Sequence, residues 1–126
     1  MPRRVVCIED EQDVIDLMRV ILERQGYEFI EAHGALEGME TVERTTPDIV
    51  LLDLMMPNID GWEVYDHLHE NPETKDIPII VVTARTQHDP RVTQMRVANS
   101  DYLVTKPFGP AQLVDTIQRV LGKSSA

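Results

Sequence analysis

Three short runs of consecutive apolar residues punctuate this chain: Val5-Val6-Cys7-Ile8, Ile49-Val50-Leu51-Leu52 and Ile79-Ile80-Val81-Val82. A strand with one wet face alternates apolar and polar residues. A strand that does not alternate is buried on both faces. Burial on both faces needs a layer above and a layer below, and in a parallel sheet the crossover helices supply them. A first strand over Arg4 to Ile8 and strands at Ile49 to Leu52 and Ile79 to Val82 are therefore expected in the middle of a sheet. Glu28-Phe29-Ile30-Glu31-Ala32 is shorter in apolar run and more polar, which suits an edge. Tyr102-Leu103-Val104 is a fifth candidate.

Helical periodicity fills the gaps. Val14, Leu17, Met18, Ile21 and Leu22 share one face, and Gly26 closes that helix. Leu36, Met39 and Val42 mark a second. Asp60-Gly61-Trp62-Glu63 has the form of a capping box ahead of Val64, Tyr65 and Leu68. Asp89-Pro90 opens a fourth helix, with Pro at its first position. Pro110 opens the last, whose stripe is Leu113, Val114, Ile117, Val120 and Leu121. The sequence thus reads as α/β: a flavodoxin-like, doubly wound (βα)5 with a five-stranded parallel sheet in the order 2-1-3-4-5.

Composition narrows the classes. At 126 residues the chain is read as one domain over 1–126, with a frayed tail at 122–126. Its longest apolar runs fall well short of the ~18 residues that span a bilayer, and the N-terminus lacks the apolar region of a secretory signal. A cytoplasmic location is expected. The formal net charge of −10 opposes direct contact with nucleic acid or an anionic membrane. Cys7 is the lone cysteine, so it forms no internal disulfide and reads as a buried thiol.

Ligands of open parallel sheets bind beyond the carboxyl ends of the strands. Glu9, Asp10 and Glu11 follow the first strand, and Asp53 follows the third. Thr83 and Ala84 end the fourth; Thr105, Lys106 and Pro107 end the fifth. The second offers only His33 and Gly34. The two central strands aim carboxylates at one spot, and such crowding needs compensation. A divalent cation that favours oxygen ligands, such as Mg²⁺, is the natural answer. Lys106 adds a fixed positive charge and Thr83 a hydroxyl. Taken singly, these residues read as helix caps, turn residues and a solvated lysine. Converged on neighbouring strand ends, they are the parts that stabilise a phosphoryl group in transit.

At this point the sequence resembles the receiver domain of bacterial two-component response regulators. The matching stretches are Val6 to Glu11; Asp48 to Gly61, with its Asp-x-x-Met-Pro-x-x-Asp-Gly signature; Ile79 to Ala84; and Asp101 to Phe108, with Lys-Pro-Phe. They span nearly the whole chain in order. The resemblance implies that Asp53 is the phosphoacceptor, taking the group from a phosphohistidine of a sensor histidine kinase or phosphotransfer domain. It implies Mg²⁺, or Mn²⁺ in its place, on Asp10, Asp53 and the Met55 backbone carbonyl, with Glu9 acting through water. Thr83, the Ala84 N–H and Lys106 would bind the phosphoryl oxygens, and Lys106-Pro107 would be cis. Thr83 and an aromatic of the last strand would then change the face formed by the fourth helix, fifth strand and last helix, to control an output domain or protein of unknown identity. The chain would be a signalling switch that autophosphorylates from small donors and autodephosphorylates, rather than an ordinary enzyme. The first helix would dock the kinase, and Met55 and Arg85 would tune the phosphoryl lifetime.

Three departures stand out. The family's aromatic sits three residues before the lysine, where this chain has Leu103; Tyr102 is one residue early. Either a bulge absorbs the extra residue and Tyr102 keeps the switch role, or Tyr102 faces elsewhere. The bulge is the reading adopted. Ala98-Asn99 replaces the usual Gly-Ala before the fifth strand, and Asn tolerates a left-handed ending. Arg91 and Asp101 match a charge pattern of dimeric regulators, but Gln112 and Thr116 occupy the partner positions, so a monomer or weak dimer is expected. Rival readings fare worse. A haloacid-dehalogenase-like phosphatase wants a second Asp where Met55 stands. A flavin module wants a phosphate loop where Glu9-Asp10-Glu11 would repel one. A degenerate receiver acting only as an interaction module would lack residues that are all present. His33, His67, His69 and His88 show no metal-ligand spacing.

Overall fold

The computed structural model describes residues 2–57, 59–84, 89–98 and 100–124. Arg85, His88 and Asn99, singled out in the sequence, lie outside the described residues. In chain order the elements are β1 (Arg4–Ile8), α1 (Gln12–Arg24), β2 (Glu28–Ala32), α2 (Ala35–Thr45), β3 (Ile49–Leu52), β4 (Met55–Met56), β5 (Ile59–Asp60), α3 (Gly61–Glu70), β6 (Ile79–Thr83), α4 (Pro90–Val97), β7 (Leu103–Thr105) and α5 (Pro110–Ser124). The main sheet is parallel and runs β2-β1-β3-β6-β7. Setting aside the small antiparallel β4–β5 hairpin, which sequence periodicity did not anticipate, this is the expected order 2-1-3-4-5.

The unbroken apolar runs are buried on both faces, as their lack of alternation required. Val5, Cys7, Ile49, Leu51, Ile80, Val82 and Val104 meet Ile15, Met18, Leu22, Leu113 and Ile117 of α1 and α5. Val6, Ile8, Val50, Leu52 and Ile79 meet Val42, Val64 and Leu68 of α2 and α3. Each such side chain, fully removed from water, contributes about 1.5–3 kcal/mol. Leu54, Trp62, Val81 and Val92 form a smaller cluster that joins α3 and α4 to the sheet. Cys7 is buried and unpaired with another cysteine, and its burial pushes the thiol pKa far up.

Two helices differ in detail from their sequence stripes. Leu36, expected on the inner face of α2, is 69% exposed, while Ala35, Gly38, Thr41 and Val42 face inward. The reason is close approach. A Cβ at Gly38 would stand 2.7 Å from Ile8, so the small residues define the face that can reach β1. In α1 the buried set is Ile15, Met18, Ile21 and Leu22, and Leu17 is half exposed. Gly26 does close α1, in the left-handed region at φ 88. Of the tail expected to fray over 122–126, α5 takes in residues up to Ser124 and Lys123 pairs with Asp101, while residues 125–126 lie outside the described residues.

The fifth main strand is displaced by one residue from Tyr102–Val104, to Leu103–Thr105. Its register with β6 is unbroken: Val81 pairs Leu103, Val82 pairs Val104 and Thr83 pairs Thr105. The bulge adopted from sequence is therefore not there. Leu103 packs with Val81, Val92 and Trp62, and Tyr102 packs on the opposite cluster beside α5, its ring 5.5 Å from the Lys123 ammonium. Strict alternation decides this. With no extra residue to reset the pleat, the position three before Lys106 belongs to Leu103.

Candidate functional site

The sheet's own ladder, continued one step past the strands, positions the acidic side chains. Glu9 N–H donates to the Ala32 carbonyl at 3.2 Å, Asp53 N–H to the Ile8 carbonyl at 3.0 Å, and Lys106 N–H to the Thr83 carbonyl at 2.9 Å. Each residue after a strand end is thereby as fixed as the strand itself. The Lys106-Pro107 peptide is cis. The result is a pit in which carboxylate oxygens of Glu9, Asp10 and Asp53 all lie within 4.8 Å of one another. Glu9 and Asp53 are buried, and Asp10 stands at the exposed rim.

Lys106 is the compensating charge. Its Nζ donates to Glu9 Oε2 at 2.9 Å and to Asp53 Oδ2 at 3.3 Å. Burial pulls the lysine's pKa down, but the Glu9 and Asp53 carboxylates outweigh it, and the net direction is upward. Glu9 moves upward too, to about 7. Loss of solvent is the largest cause, the neighbouring Asp53 adds to it, and Lys106 opposes it. The second oxygen of Glu9 accepts from the N–H groups of Asp10 and Glu11, both at 3.3 Å. Asp53 Oδ1 accepts from the Met55 N–H at 3.1 Å. Three crowded carboxylates in a mouth open at Asp10 form a hard-oxygen donor set that suits Mg²⁺.

Of the remaining expected residues, Thr83, Ala84 and Met55 end or follow strands β6 and β3 of the sheet, whereas Tyr102 does not. Thr83 ends β6, the strand beside β3, and is fully buried; Ala84 follows it and is exposed. Met55 begins the β4–β5 hairpin directly after Asp53 and exposes half of its side chain. Tyr102 directly precedes β7, at the end opposite Lys106. Gly61 belongs to both the signature and the start of α3, and the structure supplies the reason for a glycine there. Its N–H donates to the Leu54 carbonyl at 3.1 Å, and a Cβ there would lie 2.4 Å from Leu54 Cα and 2.8 Å from the Asp53 carbonyl oxygen. The start of α3 thus presses on the backbone that carries Asp53. Of the histidines described, His33 meets Glu31, His67 meets Glu43 and His69 stacks on Tyr65. Arg91 and Asp101, which matched a dimer pattern, have partners within the chain: Asp66 for the first, Arg119 and Lys123 for the second.

A doubly wound parallel sheet with an acidic pit and a lysine at its carboxyl edge places the chain in the class of flavodoxin-like α/β domains. Comparison with known proteins narrows the class. The family model of the response regulator receiver domain matches residues 5–118. The phosphate regulon transcriptional regulatory protein PhoB of Escherichia coli K12 is 34% identical over 125 residues, covering 99% of this chain and 54% of that protein. The chain thus spans about half the length of this relative. The CheY-like receiver domain protein of Methanospirillum hungatei JF-1 superposes with a TM-score of 0.86 at 25% identity, covering 99% of this chain and 98% of that one. The receiver domain of sensor histidine kinase PA1611 from Pseudomonas aeruginosa PAO1, solved with magnesium coordinated in its active site cleft, shares the fold at a TM-score of 0.85 and 23% identity, covering 97% of this chain and 99% of that one. The chain belongs to the receiver domain family of two-component response regulators. That membership sets aside the phosphatase and flavin readings.

Proposed function

We propose that Asp53 accepts a phosphoryl group in a Mg²⁺-dependent reaction and that the chain is a working, not a degenerate, receiver. The observation that carries this is the Lys106 ammonium held between Glu9 and Asp53, beside the oxygen-lined mouth at Asp10. An Asp53 oxygen attacks the phosphorus of a phosphohistidine on a sensor histidine kinase or phosphotransfer domain. The new O–P bond forms as the P–N bond breaks, and its electron pair leaves with the imidazole. Asp10, Asp53 and the Met55 carbonyl would hold Mg²⁺ or Mn²⁺, with Glu9 assisting through water; the cation supplies charge neutralisation for the transferring group. Lys106 stays with Asp53 and takes a phosphoryl oxygen, and Thr83 and the Ala84 N–H donate to the others. The same residues allow slow uptake from small donors and slow self-hydrolysis.

Thr83 drawn toward the phosphoryl group alters the packing under α4, β7 and α5. In this chain Leu103, not Tyr102, lies against Val81 and Val92 where that change is felt. This is a population shift between two packings, read by an output domain or partner protein. For the kinase, half-exposed Leu17 and Val20 of α1 line a largely apolar groove of about 490 Å³ with Pro110, Ala111 and Val114 of α5. Among the described residues no helix is long and apolar enough to cross a membrane, and the net charge of −10 opposes direct nucleic-acid contact; both accord with a cytoplasmic domain acting through protein partners. The test is incubation with phosphoramidate and Mg²⁺ followed by intact mass. One phosphate on the wild type and none on Asp53→Ala is the expected result. Equal labelling of both would refute the assignment.

A further inference from the structure

Asp89 is a carboxylate that phosphoryl transfer does not use, yet it is only 8% exposed. Each of its oxygens accepts a hydrogen bond from a different helix. Oδ1 accepts from the N–H groups of Arg91 at 3.0 Å and Val92 at 3.3 Å, which caps α4. Oδ2 accepts from the indole N–H of Trp62 at 2.9 Å, across to the first turn of α3. Capping needs one oxygen, and Ser or Asn would provide it. Burying a full carboxylate is costly unless both oxygens are hydrogen-bonded, and the indole is a donor to the second one. Arg91 closes the arrangement. Its guanidinium lies 4.0 Å over the Trp62 ring and bonds both oxygens of Asp66 on α3, at 3.0 and 2.9 Å.

Trp62 in turn sits where α3 presses on the phosphoacceptor loop. Gly61 touches the Leu54 and Asp53 backbone, and Trp62 packs with Leu54, Val81 and Val92. Backbone of Asp53, first turn of α3, Asp89 and the head of α4 are therefore one connected body. We infer that Trp62 and Asp89 are positioning residues for the phosphoryl reaction, their hydrogen bond tying the head of α4 to the strand end of Asp53 and favouring the unphosphorylated packing. This rests on the reading of Asp53 as phosphoacceptor. A contact made in one packing and strained in the other shifts the balance by its differential strength. Loosening it makes the phosphorylated packing cheaper to reach.

Two substitutions separate the tie from the cap. Asp89→Asn keeps Oδ1 for the α4 N–H groups but turns an amide NH₂ toward the indole donor. Trp62→Phe keeps an aromatic in the cluster and removes the donor. Rates of phosphoramidate labelling with Mg²⁺ are read by intact mass for the wild type, both single variants and the double variant. Each single variant labels about five-fold faster, a typical coupling between linked sites, and the double variant is no faster than either. Unchanged or slower single variants overturn the inference, and so does a double variant equal to the product of the two. Hydrogen exchange without any phosphodonor provides the second readout. Amides from Val92 to Val97 exchange faster in both single variants while those of α5 do not; unaltered α4 exchange overturns the tie directly. A wild type that takes no phosphate removes the Asp53 reading and the positioning role with it, whereas a labelled wild type with unaltered variants removes the inference alone.

Discussion

Glu9→Gln in metal-free protein tests the electrostatics of the pit without relying on phosphorylation. Glu9 is fully buried, and its pKa of about 7 stands well above the ordinary 4.5. Between those values the folded chain holds a proton that the unfolded chain has released, so stability falls as pH rises through this window. The gap between 4.5 and about 7, at about 1.36 kcal/mol per pH unit, is worth roughly 3 kcal/mol once Glu9 is fully ionised. Gln has nearly the shape of the protonated side chain and does not titrate. Near pH 4.5 the two proteins should therefore unfold at about the same urea concentration. By pH 8 the variant should be the more stable, by about 3 kcal/mol at most. Urea titrations of both proteins in EDTA, at several pH values from 4.5 to 8, measure the difference and cancel the titrating groups remote from Glu9; Asp53 and Lys106, which touch it, titrate together with it. Saturating Mg²⁺ should narrow the gap at pH 8, because a cation among these carboxylates favours the ionised Glu9. A difference that stays flat with pH, or one that grows toward acid, would refute this account of how Glu9 is held.

Lys106→Gln leaves Glu9 and Asp53 buried without their shared cation. Metal-free stability at pH 8 should drop by about 3 kcal/mol, the order seen when one partner of a buried pair is removed, and urea unfolding checks it. Gly61→Ala drives a methyl group into the Leu54 backbone and the Asp53 carbonyl. The expected cost is about 3 kcal/mol or more in urea unfolding, together with weaker Mg²⁺ binding followed by Trp62 fluorescence, since the backbone that moves carries Asp53.

Much of the molecule was legible in its sequence because it rests on local patterns. Unbroken runs at Val5–Ile8, Ile49–Leu52 and Ile79–Val82 could only be central parallel strands, and Asp60, Asp89-Pro90 and Gly26 marked helix ends through backbone chemistry that acts within a few residues. Strand order then placed Glu9, Asp10, Asp53 and Lys106 at one edge. What only the tertiary structure decided were matters of registry and close approach. Whether Tyr102 or Leu103 faces α4 depends on a pleat that one inserted residue would reverse, and only the pairing with β6 shows that none is inserted. Leu36 lost the inner face of α2 because Gly38 lets that helix press onto Ile8, a contact between distant elements that no helical period encodes. The tie from Trp62 to Asp89 spans α3 and α4 and has no signature along the chain; it exists because packing brings an indole donor to the second oxygen of a cap.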